Sequence, residues 1–233
     1  VSLAQRETNI WYFGDHAGLD FNSGTPVALT NSQMLTYEGC AVLSNASGQM
    51  LFYSNGVTIW NRNHQVMLNG NGLLGDESST QSCVIVPKPG SLTLYYIFTT
   101  TAEGGDNGFK YSIVDMKLDG GLGGVTDDKN VSIYSSTAEK LTVVKHSNNI
   151  DYWIITHGFN NNRFYCHLLK NTGLDSLPTI TDIGIATPRP FVGSGADAPG
   201  VIKVSPNGTK LVACHTNQLV ELFDFNPTTG SLS

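Results

Sequence analysis

The strongest constraint on the fold is a strand–turn–strand unit that this 233-residue chain repeats four times. The copies read CAVLS-NASG-QMLFYS, CVIVP-KPGS-LTLYYIF, LTVVK-HSNNI-DYWIITH and VIKVS-PNG-TKLVACH, near residues 40–54, 83–99, 141–157 and 200–215. Successive turns, counted from Asn45 to Lys88, His146 and Pro206, lie 43, 58 and 60 residues apart. A third apolar strand follows each hairpin (VTIWNRNHQVM, FKYSIVDMKL, FYCHLLKN, LVELFDFN). A fourth follows a turn rich in Gly or containing Pro, as in NVSIY and TITDIG. Antiparallel strands recurring in fours at this interval predict the blades of a β-propeller. One such sheet cannot bury both its faces, so neighbours must stack and share apolar surface around a central channel. Trp60, Phe98, Trp153 and Phe223 are then core residues packed between sheets. A β-sandwich is the main rival, but it gives no reason for groups of four.

Composition agrees with an all-β chain. Only 14% of residues are charged and 25 are Gly, which suits short strands and tight turns better than helices. The net charge is −6, and no Lys/Arg cluster is present to neutralise phosphates, so nucleic acid is excluded as a partner. The longest apolar runs, such as DYWIITH, are strand-sized, so no transmembrane segment is expected. Cys40, Cys83, Cys166 and Cys214 each sit inside an apolar strand pattern, where Cys serves as a small core residue more often than as half of a disulfide.

No cofactor, metal site or catalytic set is expected. GSGADAPG and DGGLGG lack the strand-to-helix context and the Lys of a phosphate loop. The GSG stretch does not have the spacing of a nucleophile elbow. DNG and DDKN are acidic turns without the ligand spacing of a calcium loop.

The two ends of the sequence match each other. LDFNSGTPVAL near the start and FDFNPTTGSLS at the finish are the same third-strand, turn and fourth-strand unit. The N-terminal copy either completes the last blade and closes a small ring, hiding its edges, or belongs to a ring of which this chain is part. The second account is the expectation: residues 5–233 form an incomplete propeller of about four blades, with more beyond Ser233. Residues 1–4, VSLA before Gln5, place small residues at Ser2 and Ala4 as at the end of a secretory leader, and are read as its remnant.

The strings ETNIWYFGDHAGLDFNSGTPVALTN, EGCAVLSNASGQMLFYSNGVTIWNRNHQVMLNGNGLLG, SSTQSCVIVPKPG, YSIVDMKLDGGLG and EKLTVVKH resemble the N-terminal propeller region of large secreted Bacteroidota proteins. Those proteins carry immunoglobulin-like repeats downstream and end in a gliding-motility-associated or type IX secretion sorting domain. The resemblance runs from about Glu7 to Ser233. It implies export to the outer cell surface or the medium and downstream modules in the same polypeptide, and it brings no catalytic residues with it. Asp175-Ser176-Leu177 also resembles the short O-glycosylation site of that phylum.

Loops entering each first strand and loops joining second to third strands open on one face of such a ring, and binding residues gather on loops of this kind. Counting outward from the hairpin turns sets Glu139 opposite His157 and Ala198 opposite His215, with Asp197 adjacent. Gln81 falls near Thr99 and Glu38 near Asn55. A bulge would shift any of these by a residue. Glu38, Gln81, Thr99, Glu139, His157, Asp197 and His215 are therefore the candidate ligand-binding rim. Three readings of the acid–His pairs stay open: structural hydrogen bonding, a rim for a glycan or protein ligand, and a metal site; the first is favoured.

The function expected is an extracellular or cell-surface interaction module, acting in adhesion or carbohydrate binding and not as an enzyme. One alternative is a secreted carbohydrate-active enzyme using Glu38, Glu139 and Asp197 as acid/base groups, which needs carboxylates about 5–9.5 Å apart. Another is a structural spacer with no ligand.

Overall fold

The computed structural model describes residues 6–186, 198–216 and 219–233. It is all-β, and the hairpins predicted from the repeat are its framework. The first sheet holds β1 (Ile10–Phe13), β2 (Ala17–Asp20) and β3 (Val27–Leu29) in that order. An antiparallel group of β4 (Ala41–Ser44), β5 (Met50–Ser54), β6 (Thr58–Asn61) and β7 (Val66–Asn71) follows. Next come β8 (Cys83–Pro87), β9 (Leu94–Thr100), β10 (Phe109–Asp115), the two-residue β11 (Gly124–Val125) and β12 (Val131–Tyr134). A further sheet contains β13 (Thr137–Lys145), β14 (Tyr152–Gly158), β15 (Arg163–Lys170), β16 (Gly173–Leu174) and β17 (Thr179–Asp182). The last contains β18 (Gly200–Val204), β19 (Lys210–His215) and β20 (Leu219–Asp224).

The second and third groups are not separate sheets. β11 pairs antiparallel with β10 and parallel with β7, through Gly124 and Leu68, and so joins them into nine strands. Asn69 reinforces the join by donating its side-chain amide to the Val125 carbonyl at 3.1 Å.

The four hairpin turns share one device. Each closes with an N–H donated to the carbonyl three residues earlier: Gly48 to Asn45, Ser91 to Lys88, Asn149 to His146 and Gly208 to Ser205. Each also contains a residue at positive φ: Gly48, Gly90, Asn149 and Gly208. Gly, and next to it Asn, occupies that region at least steric cost, which explains NASG, KPGS, HSNN and SPNG as turn sequences. In the first, the Asn45 side chain also accepts the Ser47 and Gln49 amides, both at 3.0 Å.

Apolar side chains fill the space between successive groups. Ile10, Tyr12, Met34, Tyr53 and Trp60 form the first cluster. Phe52, Ile59, Met67, Cys83, Ile97 and Val114 form the second. Phe98, Phe109, Leu141 and Ile154 belong to the third, and Trp153, Phe164, Ile202 and Phe223 to the fourth. Every cluster draws on two neighbouring groups, so each group is held by the next rather than by one central core. Trp60, Phe98, Trp153 and Phe223 are buried as the sequence predicts. All four cysteines are free thiols. Cys83 is buried among apolar residues, which pushes its thiol up to about 12. Among the described residues no helix is long and apolar enough to cross a membrane.

Candidate functional site

The first strands of the four hairpins meet side by side: β4 touches β8, β8 touches β13, and β13 touches β18. Between them lies a cavity of ≈ 590 Å³, lined among others by Glu38, Thr80, Gln81, Thr142 and Lys203. A second cavity of ≈ 410 Å³ is lined by Glu38, Asp76, Ser78, Ala102, Glu103, Glu139 and Pro199. Its walls come from five stretches: the approaches to β4, β8 and β18, the loop after β9, and β13.

Gln81 fixes how these stretches meet. Its Oε1 accepts the amides of Leu141 at 3.0 Å and Ile202 at 2.9 Å, while its Nε2 donates to the Ile202 carbonyl at 3.2 Å. Its own amide donates to the Glu139 carbonyl at 3.2 Å, and its carbonyl accepts Thr100 Oγ1–H at 2.9 Å. One side chain thus ties the chain before β8 to both β13 and β18.

Glu139 is buried, and both its oxygens are engaged. Oε2 accepts the Thr80 amide at 2.8 Å and the Thr80 hydroxyl at 2.9 Å; Oε1 accepts the Glu103 amide at 2.8 Å. Thr80 Oγ1 in turn accepts the Gly200 amide at 3.3 Å. The Glu103 backbone is held at positive φ, with the bond to Glu139 on its N–H. Exposed carboxylates of Glu38 and Glu103, with Asp76 and Ser78, complete a wall of hydrogen-bond acceptors.

His157 and His215 belong to a different group. The bulge in β13, between Thr137 opposite Gly158 and Leu141 opposite Thr156, sets residues 138–140 against His157, but the Glu139 carboxylate bonds to Thr80 and Glu103 and not to the imidazole. His157 is buried, donates Nδ1–H to the Gly158 carbonyl at 2.8 Å, and presents its ring to the edge of Phe164. Its Nε2 has no hydrogen-bond partner among the described residues. Burial, with the Lys140 charge nearby, lowers the imidazole to about 3. Lys140 is itself fully buried and donates to the carbonyls of Ala198 at 3.0 Å and Pro199 at 2.9 Å. His215 lies opposite Gly200, not Ala198, and pairs through Nε2 with Glu221 Oε2 at 3.0 Å.

The other expected positions are scattered. Thr99 is buried opposite Cys83, while Gln81 reaches Thr100. Asn55 donates to the Leu35 carbonyl and not to Glu38. Asp197 lies outside the described residues. The structure therefore brings Glu38, Gln81 and Glu139 together at the cavities and sets His157 and His215 apart. Sequence reasoning missed Thr80, Glu103, Lys140 and Glu221. Only Lys140, a charge within the apolar run EKLTVV, carried a local signal. Among the described residues, no group of three or more His, Cys, Asp or Glu is placed to hold a metal ion.

No family model and no curated protein matches the sequence. Solved structures that align with the chain include the following two. One is a candidate exo-β-1,3-galactanase from Bifidobacterium bifidum s17, at 8% identity over 72% of this chain and 54% of that one, TM-score 0.39. The other is a candidate 6-phosphogluconolactonase from Bacteroides fragilis NCTC 9343, at 13% identity over 96% of this chain and 65% of that one, TM-score 0.45. The chain thus spans less than two thirds of either protein, and no site residue is assigned from them.

Proposed function

We propose that this chain is a β-propeller that works as an extracellular or cell-surface interaction module, binding a glycan or protein at the acceptor-lined cavity. The observation that carries the reading is the ≈ 410 Å³ cavity itself. Several loops build it, and the Gln81 and Glu139 hydrogen bonds hold those loops in one arrangement. Preorganised loops around a concave, acceptor-rich surface suit a ligand bearing many donors, such as sugar hydroxyls or peptide amides. The first strands lying side by side and the stacked apolar clusters support the propeller reading. The resemblance of the sequence strings to those of secreted Bacteroidota proteins supports export and downstream modules.

Binding suits this site better than hydrolysis. A carboxylate whose two oxygens accept three hydrogen bonds, as in Glu139, is committed to holding loops and is poorly placed to move a proton to substrate. A glycan array, with pull-down from cell-surface extract, tests the proposal. Expected is a ligand retained by the wild type and lost in Glu103→Lys with Asp76→Lys, with unfolding unchanged. A folded protein that retains nothing in either assay overturns it.

A further inference from the structure

The larger cavity, of ≈ 590 Å³, differs in character from the smaller one. Its walls are the first strands of the four hairpins, β4, β8, β13 and β18, with Thr8 also against it. Val42, Val84, Val143 and Val201 give it one branched apolar side chain from each strand. The charged residues that line it are Glu38 and Lys203, of opposite sign. Among the described residues neither has an ion-pair partner, so the two do not neutralise each other. Backbone hydrogen bonds set how far apart they stand. The Gly39 amide donates to the Ser79 carbonyl, which puts Glu38 level with the chain well before β8. Gly200 N–H meets Thr80 and Ile202 N–H meets Gln81, which puts Lys203 level with the start of β8. At a strand's rise per residue the two positions are roughly 15 Å apart along the channel.

We propose that this channel binds a short zwitterionic peptide with branched apolar side chains, its ammonium at Glu38 and its carboxylate at Lys203. The reach of the two side chains narrows the span to that of about three extended residues. Opposite charges at the two ends fix the direction of the ligand, and the four valines receive its side chains. A neutral sugar matches neither charge, and a ligand with a single charge leaves the other unmet. The smaller cavity has no cation among its lining residues. The proposal therefore stands apart from the reading above, although Glu38 borders both cavities.

Trivaline is the probe, titrated into the protein by calorimetry, with N-acetyl-trivaline and trivaline amide as controls that lack one charge each. Expected is saturable binding of trivaline, weaker by about fivefold for either control. Lys203→Met should lower the affinity for trivaline to that for the amide and leave the amide unaffected. Glu38→Gln should do the same with respect to the N-acetyl form. Equal affinity for all three ligands overturns the proposal. So does a folded wild type that takes up no trivaline at millimolar concentration, as it would if the chain itself filled the channel. Glycan retention by the same sample reports on the smaller cavity separately.

Discussion

Gln81 Oε1 accepts the backbone amide of Ile202 at 2.9 Å across 121 residues of sequence, and the same oxygen accepts Leu141 N–H. Replacing Gln81 by Leu leaves two amides without an acceptor. Each orphaned donor costs about 1–3 kcal/mol where water cannot reach it. Gln81→Leu should thus lose roughly 2–5 kcal/mol in urea unfolding, and Gln81→Glu, which keeps the acceptor but not the donor, should lose less.

His157 gives a pH signature. Its folded value near 3 lies below the ordinary histidine value, so the unfolded chain takes up a proton first as pH falls. The contribution is complete above about pH 6.5 and is lost progressively down to about 3, with a slope of at most ~1.4 kcal/mol per pH unit. Unfolding free energies of wild type and His157→Phe between pH 7 and 4 should diverge, the variant falling less. Parallel curves would count against the buried neutral imidazole.

Gly104 is at positive φ, and a methyl there would overlap the Phe159 ring. Gly104→Ala should cost about 1–3 kcal/mol through strain and overpacking. It should also displace the Glu103 amide from Glu139, so ligand retention should fall with stability. Calorimetry and the pull-down read the two effects separately.

Val220 and Leu222, on β20, are each about two-thirds exposed, and Val201 of β18 lies in register with Val220 through Cys214. Such an apolar sheet face promotes association. Residues 5–233 should self-associate as concentration rises, and Val220→Thr with Leu222→Lys should shift sedimentation toward monomer. A monodisperse wild type at high concentration would contradict this.

The hairpins were legible because apolar strands flanking Asn- and Gly-containing turns repeat along the chain. Their register was not. Counting from the turns put Ala198 opposite His215 and Gln81 near Thr99, whereas Gly200 and Cys83 are the residues directly opposite. The positive-φ residue of each turn moves its centre toward the C-terminal strand, which no alternation of polar and apolar residues reveals. In β13 a bulge sets residues 138–140 against His157, and the Glu139 carboxylate engages Thr80 instead. Thr80 and Glu103 were invisible for another reason. They act through contacts between distant segments, and nothing local marks a Thr or Glu as a partner for a buried group.

The Gln81 amide also bears on how the molecule carries load. A tensile force entering through β18 reaches the chain before β8 through the Gln81 side chain and the Thr80 hydroxyl, bypassing the whole of β9 to β17. Tearing the last sheet away must break these bonds together, so rupture under traction should be abrupt rather than stepwise.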